Sequence, residues 1–325
     1  MKRQTTYIRL SEITVGCKTA FCICAAVITL AAVFSLTGCV KDELYNTPHP
    51  DKGALVITAD WSGRSADAEQ PERYIIKVDG QPYEVSELFV TPAASAGRSR
   101  ATFSPVLPAL FTPGIHSLVV YNEPKGFTID GNTATVGTLE DGTLNPLPGY
   151  LFSATEEPDI AADDTLRITV PMRQRIRRLS LQLELTAEDA QRIAATEATL
   201  TGIASAFDFS AGAIASTEGK TIAPAFAVQT PPTGGQPLLT ATMRLLGTVP
   251  AEQQILTLHI TLKNGDIYSV AKDLTEPLKN FSTGSSMEPL ELDALLELPT
   301  EIGVTTEITP WNPGNGENGE TGSAE

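Results

Sequence analysis

The sequence predicts an all-β protein with two β-sandwich domains and one short helix. Three observations lead to this prediction. Apolar residues alternate with polar ones at a period of two in many short stretches, turn-forming residues separate these stretches, and a single stretch combines a helical period with a cap. About 250 residues of this kind are more than one ordinary sandwich contains, so two domains are expected.

The N-terminus has the pattern of a secretory signal peptide. Residues 1–18 contain four basic residues and one acid, and no charged residue occurs from Thr19 to Leu36. A transmembrane anchor is the alternative, because an apolar run of this length almost spans a bilayer. Lys41 stands alone before two acids, however, and no basic cluster follows the run, which favours the signal peptide.

The end of this apolar run resembles the bacterial lipobox, in which a leucine stands three places before a lipid-carrying cysteine; the matching residues are Leu36, Thr37, Gly38 and Cys39. The resemblance implies that residues 1–38 are removed, that the Cys39 thiol is diacylated and that its new amino group is acylated. Buried acyl chains hold a protein on a membrane stably, since each buried CH₂ contributes about 0.8 kcal/mol. An ordinary signal peptide that ends in cysteine by chance is the alternative.

Three charged residues directly behind the cysteine, Lys41, Asp42 and Glu43, resemble the surface-export signal of Bacteroidetes lipoproteins. This resemblance implies a chain that is anchored in outer-membrane lipid through acylated Cys39 and exposed at the cell surface. A solvated linker with accidental charges is the alternative. Residues 39–52 contain two X-Pro steps and no periodicity, and we expect an extended tether there.

Cysteine content and charge exclude several classes of protein. All four cysteines lie at or before Cys39, so the processed chain has no disulfide framework. Removal of residues 1–38 takes four bases and one acid from totals of 23 and 39, which leaves 19 and 38 and a net charge of about −19. A surface this acidic repels nucleic acid, so a nucleic-acid partner is not expected.

Residues 53–178 are predicted to form the N-terminal sandwich. The segment GALVITADW is its first strand, with one apolar face made by Leu55, Ile57, Ala59 and Trp61. The segment RYIIKVDGQPYEV predicts a hairpin, because Asp79-Gly80 is a pair that type I′ turns favour. GIHSLVVYNE and DTLRITVPM are predicted as further strands.

Residues 179–309 are predicted to form the C-terminal sandwich. RRLSLQLELT alternates most clearly in the whole chain, with its four leucines on the inner face. TAEDAQRIAAT is the predicted helix, about two to three turns long, with Thr186 as its cap and Ile193 on its apolar face.

The end of the second domain contains a predicted hairpin and a predicted tail. In ILTLHITLKNGDIYSV, a two-residue turn at Asn264-Gly265 would place His259 opposite Val270. Residues 310–325 contain almost no apolar side chain after Trp311, so we expect a disordered tail there. The alternative is that Trp311 docks onto the last strand.

The sequence contains no recognisable constellation of catalytic residues, so we expect neither an enzyme nor a cofactor or metal site. The three histidines are far apart, one thiol remains after processing, and no serine lies in a nucleophile elbow. The acid pairs Glu140-Asp141 and Asp163-Asp164 leave a weak calcium site as an alternative, although such pairs in loops usually face water.

One basic cluster interrupts the acidic chain at the predicted domain junction, and it consists of Arg173, Arg175, Arg177 and Arg178. Contact with an anion or a polysaccharide is one functional interpretation, and cleavage by an Arg-directed protease is another. We favour charge pairing across the junction, because the rest of the protein is rich in acids.

The chain as a whole resembles the fimbrillin-like lipoproteins of Bacteroidetes, which comprise fimbrial subunits and their membrane anchors. The lipobox and export residues carry this resemblance, together with LFTPGIHSLVVYNEPKGFTIDGNTATV at 110–136, VPMRQRIRRLSLQLELT at 170–186 and ATLTGIASAFDFSAG at 198–212. It implies two transthyretin-like β-sandwich domains, no enzyme activity, other fimbrial subunits as partners, and a surface pilus assembled by strand donation. A sandwich that lacks one strand exposes a groove, which an extended segment of a partner completes.

The resemblance leaves two roles open. A retained lipid fits a fimbrial anchor, whereas a polymerising subunit would be trimmed by an Arg-directed cut, for which Arg64 and Arg73 are the possible sites. Residues 298–311 alternate only in part, which favours the anchor, because a donated C-terminal strand should alternate. The alternative function is a glycan-binding surface lipoprotein of a nutrient-uptake system, which saccharide-dependent fluorescence of Trp61 or Trp311 would reveal.

Overall fold

The computed structural model describes residues 51–86, 106–230, 234–283, 287–299 and 306–313. These residues belong to one compact unit that begins at Asp51. Nearly all of its regular structure is β-strand, which confirms the predicted all-β class.

The first half of this unit contains β1 (Gly53–Asp60), β2 (Arg73–Val78), β3 (Gln81–Ser86), β4 (Val106–Phe111), β5 (Gly114–Ile115), β6 (Leu118–Tyr121), β7 (Phe127–Asp130), β8 (Thr133–Val136), β9 (Phe152–Glu156), β10 (Asp159–Ile160), β11 (Thr165–Pro171) and β12 (Arg173–Gln174). The second half contains β13 (Arg177–Glu184), α1 (Ala187–Arg192), β14 (Ile193–Ile203), β15 (Ala206–Asp208), β16 (Ala213–Ile214), β17 (Lys220–Ile222), β18 (Ala227–Gln229), β19 (Leu238–Leu245), β20 (Ile255–Leu262), β21 (Ile267–Asp273), α2 (Thr275–Leu278), β22 (Leu290–Glu297), β23 (Glu307–Ile308) and β24 (Asn312–Pro313).

Two sheets enclose the core of the first half. One sheet has the strand order β11-β1-β4, and the other has the order β12-β9-β6-β2-β3. Their inner faces share one cluster of buried side chains, as a sandwich requires. The predicted face of the first strand, from Leu55 to Trp61, belongs to this cluster, so the predicted alternation is confirmed.

The first hairpin of the chain also has its predicted geometry. Val78 lies opposite Gln81, which leaves Asp79 and Gly80 as a two-residue loop. Both loop residues have positive φ, 50° and 80°, as a type I′ turn requires.

Two further sheets enclose the core of the second half. The sheet β18-β19-β13-β22-β23 packs over the sheet β17-β14-β20-β21. β13 lies in the centre of its sheet, antiparallel to β19 and parallel to β22. Its inner face is the predicted leucine face, with Leu179, Leu181 and Leu183 fully buried.

The hairpin of β7 and β8 precedes the predicted domain boundary, yet it packs with the second half. It forms a four-stranded sheet with β15 and β16, and Ala134 and Val136 belong to the second core. Tyr121 joins the same core and stacks on Phe209, with ring centroids 4.5 Å apart. The division into domains at residues 178 and 179 stays a prediction, and the second core extends across it.

The predicted helix is present but shorter than predicted. The Asp189 amide donates to the Thr186 hydroxyl, 3.0 Å away, so Thr186 is the N-cap. α1 ends at Arg192, because Ile193 already pairs with Leu262 as the first residue of β14. The four-residue helix α2 was not predicted.

The late hairpin has a three-residue loop, so the predicted two-residue turn was wrong. The Leu262 amide donates to the carbonyl of Asp266, which leaves Lys263, Asn264 and Gly265 in the loop. Gly265 has φ +93°, the positive value that a type I turn followed by a bulge residue needs. As a result, His259 lies opposite Ser269 and not Val270.

The predicted tail begins later than residue 310. Trp311 is only 8% exposed and belongs to the second core. β23 and β24 both pair with β22, at Leu296–Ile308 and Leu292–Pro313. The alternative, in which Trp311 docks onto the last strand, therefore holds for the start of residues 310–325. Residues 314–325 lie outside the described residues.

Candidate functional site

The first strand occupies the middle of its sheet and completes the first sandwich. β1 pairs in parallel with β11 from Ala54–Thr165 to Asp60–Pro171, and its other edge pairs with β4. The backbone at the start of β1 packs closely against the segment before β11, since a Cβ on Gly53 would lie 2.2 Å from the carbonyl oxygen of Ala161. Both edges and the inner face of β1 are thus satisfied within the chain itself.

Arg64, the first predicted processing site, lies in a turn that is fixed to the rest of the protein. Its amide donates to the carbonyl of Trp61 at 3.2 Å, and its guanidinium contacts the same carbonyl at 3.3 Å. The next residue, Ser65, is buried; its amide donates to Gln174 Oε1 at 2.9 Å, and its hydroxyl oxygen lies 2.9 Å from the same atom.

Arg73, the second predicted processing site, opens strand β2. Its side chain is exposed, but its backbone is paired opposite Ser86, and Tyr74 behind it is buried. Proteases cleave extended segments that fit their active-site groove, so cleavage at either arginine requires local opening of the fold.

The predicted lipidation and export residues lie outside the described residues, and these are Leu36, Thr37, Gly38, Cys39, Lys41, Asp42 and Glu43. Among the helices that the structure describes, none is long and apolar enough to cross a membrane.

A polar cluster joins the two halves beneath the loop that contains Arg64. Tyr150 donates its hydroxyl to Asp67, Ser65 donates to the other carboxylate oxygen at 2.7 Å, and Arg178 lies 3.6 Å from Asp67. Burial, and then the hydrogen bond to Asp67, raise the pKa of Tyr150 to about 12. Burial opposes ionisation of Asp67, but the bonds from Tyr150 and Ser65 and the charge of Arg178 outweigh it and lower the pKa of Asp67.

The four arginines of the basic cluster separate into two pairs. Arg178 faces Asp67 across the junction, as the favoured interpretation predicts. Arg177 instead donates to two backbone carbonyls, those of Glu288 at 2.6 Å and Phe281 at 3.2 Å. Arg173 and Arg175 form no ion pair with any described acid and line cavities at the junction.

The structure gives His116 a structural position that its sequence context did not indicate. Its Nδ1 lies 2.6 Å from Asp79 Oδ2, and its Nε2 lies 2.7 Å from the carbonyl of Thr112. A carbonyl can only accept, so Nε2 donates, and the imidazolium form donates at both positions. The bonds to Thr112 and Asp79 raise the pKa of His116, and the bond from His116 lowers the pKa of Asp79.

The tryptophans do not provide a carbohydrate platform. Trp61 packs edge-on against Tyr74 and Phe152 inside the first core, and Trp311 is buried in the second. The protein has no other tryptophan. A stacking platform needs an exposed ring face, which neither residue offers.

Within the described ranges, no cluster of three or more His, Cys, Asp or Glu side chains is arranged to hold a metal. In the two acid pairs, Asp141 accepts from the Thr143 amide and hydroxyl, and Asp164 accepts from the Thr165 amide. These are local turn contacts of the kind that aspartates commonly make in loops.

The chain matches one protein family and several solved structures. The family model described as "Mfa2: Fimbrillin-A associated anchor proteins Mfa1 and Mfa2" matches residues 106–315, well over half of the chain. The chain belongs to this family. The match begins at β4 and runs across both cores to the end of β24, so it covers the shared hairpin as well as the second sandwich.

Solved structures share the fold at low sequence identity. The fimbrial anchor protein Mfa2 from Porphyromonas gingivalis has 10% identity and a TM-score of 0.56, over 81% of this chain and 97% of that one. A candidate adhesin from Bacteroides ovatus has 12% identity and a TM-score of 0.53, over 83% and 96% of the two chains. No protein of curated function matches the chain.

Proposed function

We propose that this protein is the anchor of a surface fimbrium, held in the outer membrane by acyl chains on Cys39 and without enzymatic activity. The observation that carries the proposal is its membership of the Mfa2 family, which the match over residues 106–315 establishes. The structural match to the P. gingivalis anchor, at 97% of that chain's length, agrees with it at the level of the fold. The partners are other fimbrial subunits.

The position of β1 supports an anchor over a trimmed, polymerising subunit. Cleavage after Arg64 or Arg73 would remove the central strand of the sheet β11-β1-β4 and expose the side chains that face Leu55 and Ile57. Burial of each such side chain contributes about 1.5–3 kcal/mol, in addition to the backbone pairing. A subunit that keeps β1 has this position filled by its own chain and needs no donated strand there.

The C-terminal segment supports the same role. β23 and β24 pair with β22 of their own sheet, and Trp311 between them is buried. A segment that completes its own sandwich in this way is not available for donation to a neighbouring subunit. An anchor ends a filament and therefore needs to donate no strand.

The proposal is tested by a mass determination of the protein extracted from its native membrane, with proteolysis of intact cells alongside. We expect an N-terminus at triacylated Cys39, accessible to protease from outside. The Cys39→Ala variant should lose the acyl mass and leave the membrane fraction, whereas Cys24→Ala, inside the predicted signal peptide, should behave as wild type.

The same strains decide the fimbrial role. If the protein anchors a fimbrium, cells with Cys39→Ala should release fimbriae into the medium while fimbrial subunits are still made. A mature N-terminus beyond Arg64 or Arg73 would contradict the anchor role and indicate a polymerising subunit. Fimbriae that stay attached in the Cys39→Ala strain would contradict anchoring through this cysteine.

A further inference from the structure

A groove with two unpaired arginines runs across the junction of the two halves. Three cavities meet there, with volumes of about 580, 290 and 620 Å³, and Arg175 lines all three. Arg173 lines the second and third of them and is exposed. Arg173 belongs to the short strand β12, and Arg175 directly follows that strand.

Neither arginine has an acidic partner among the described residues. Arg175 is held by neutral groups: its Nε donates to the Ser153 hydroxyl at 2.9 Å, and its guanidinium lies 4.7 Å from the ring centroid of Phe207. Burial, and then the charge of Arg173, lower the pKa of Arg175 to about 10. Two like charges therefore share one groove in a protein whose net charge is strongly negative.

The acids that line the groove are mostly bonded elsewhere. Asp60 accepts from Ser62, Glu252 accepts from the Gly219 amide at 2.8 Å, and Glu276 lies 3.6 Å from Lys279. Glu156 lines the smallest cavity and, in the described part of the chain, pairs with neither arginine. None of these four carboxylates forms an ion pair with Arg173 or Arg175, so a carboxylate is the partner that the two arginines lack.

We propose that the groove binds an extended acidic peptide segment of a partner protein, whose carboxylates pair with Arg173 and Arg175. Guanidinium groups match carboxylates in two parallel hydrogen bonds, and desolvation strengthens such pairs. Beside them the groove is aliphatic, with Ile214, Leu246 and Val249 in its wall, so alternate side chains of an extended peptide find apolar and charged contacts in turn.

The wall of the groove favours a peptide over an acidic polysaccharide. Sugars bind proteins by stacking on exposed aromatic rings, and the aromatic residue in this wall, Phe207, is covered by the guanidinium of Arg175. β12 is also an edge strand, paired with β9 on one side, and edge strands accept extended peptides. The proposal is independent of lipidation, because the described residues that line the groove all lie at or after Asp60.

The test measures binding of a fluorescein-labelled peptide of alternating glutamate and threonine to the full chain in detergent, by fluorescence polarisation. The matched peptide has glutamine in place of every glutamate. We expect the acidic peptide to bind and the glutamine peptide to bind at least about tenfold more weakly, with affinity falling steeply as salt is raised.

Variants assign the binding to the groove. Arg173→Gln, an exposed change, should weaken binding several-fold, and the double variant with Arg175→Gln should abolish it. Arg167→Gln, an exposed arginine on β11 outside the groove, is the control and should bind as wild type. Thermal melting of each variant shows whether the loss of the Arg175 contacts has unfolded the protein. If the double variant is unfolded, the single variant Arg173→Gln still tests the proposal.

Any one of the following outcomes would overturn the proposal. These are no binding of the acidic peptide, equal binding of the glutamine peptide, unchanged binding by Arg173→Gln, and displacement by polygalacturonate at lower concentration than by unlabelled peptide, which would indicate a polysaccharide site. Binding that appears only after residues 314–325 are deleted would also overturn it, since the chain's own end would then be the occupant.

Discussion

His116 joins two turns that are distant in sequence. Its ring bonds Asp79 in the first hairpin turn and the Thr112 carbonyl in the link between β4 and β5. Because the folded protein raises the pKa of His116, its contribution to stability is fully present below the unfolded value near 6.5 and is lost as pH rises through the folded value. Asp79 acts in the opposite sense, since its lowered pKa makes its contribution disappear as pH falls through the folded value.

We therefore predict that His116→Gln lowers the free energy of unfolding by about 1 kcal/mol at pH values near 5.5 and by clearly less near pH 8.5. Urea unfolding at both pH values measures the difference. His259→Gln is the matched control, because His259 is exposed on β20, and it should cost little at either pH. If the loss of unfolding free energy in His116→Gln does not become smaller as pH rises, the charged form of His116 does not stabilise the two turns.

Tyr150 bonds within the first half through its hydroxyl and contacts the second half through its ring. It donates to Asp67, and the guanidinium of Arg244 lies 4.4 Å from its ring centroid. Tyr150→Phe keeps the ring but removes the donor to a partly buried carboxylate, so we expect a loss of about 1–2 kcal/mol. Tyr268→Phe on the edge strand β21 is the control. Equal midpoints of urea unfolding for the two variants would show that the bond to Asp67 contributes nothing.

These residue contacts were largely beyond prediction from the sequence. The sequence shows a basic cluster at Arg173–Arg178, but three of its arginines contact different partners, namely Asp67, two carbonyls and a serine, and Arg173 is exposed. The sequence did not indicate the structural role of His116 either, because its carboxylate partner Asp79 lies 37 residues away. Only the packing of two turns brings the two side chains together. Side-chain pairing across a fold depends on tertiary geometry, which local pattern does not encode.

At the scale of single elements, prediction worked where one face of a strand is buried. The alternation in β13 follows from burial on one side, whereas in β1 Val56 on the opposite face is buried as well. The turn at Asp79-Gly80 follows from the backbone angles that these residues tolerate. The loop at Asn264-Gly265 was predicted with the wrong length, because the same glycine serves both a two-residue turn and a three-residue loop. The parallel pairing of β1 with β11 joins segments far apart in sequence and has no local signature.

The central strand β13 should be far more sensitive to substitution than the edge strand β21. Leu181 is fully buried between β19 and β22, whereas Ile267 is 68% exposed. We predict that Leu181→Ala lowers the free energy of unfolding by about 3–5 kcal/mol through loss of burial and a new cavity. Ile267→Ala should cost less than about 0.5 kcal/mol. Urea unfolding of both variants provides the comparison, and similar losses would mean that β13 is not the centre of this core.

At the scale of the whole molecule, the two halves share structure that a simple domain boundary would divide. The β7–β8 hairpin lies in a sheet with β15 and β16, and Leu144 packs in the second core. The sequence predicted two sandwiches but not this exchange, because the alternation of a short hairpin is the same whichever core it covers.

We predict that a fragment of residues 51–178 does not fold on its own. Without the second half, Ala134, Val136 and Leu144 lose their buried surroundings, and apolar patches of this kind bind hydrophobic dyes or aggregate. Residues 51–325 are the control and should unfold in a single cooperative transition by calorimetry. A cooperative transition for the shorter fragment would show that the first sandwich is an independent domain.

The parallel pairing of β1 and β11 has a mechanical consequence for an anchor. Tension from the proposed lipid tether enters at Gly53, the start of β1, and passes to the second half beyond Pro171, the end of β11. Because the strands are parallel, these points lie at opposite ends of the pair, so the load acts along the strands. All pairings from Ala54–Thr165 to Asp60–Pro171 then resist sliding together rather than opening one at a time, and rupture under pull is governed by the rate of unfolding. The strand that completes the sandwich is thus also placed to bear the pull of the filament.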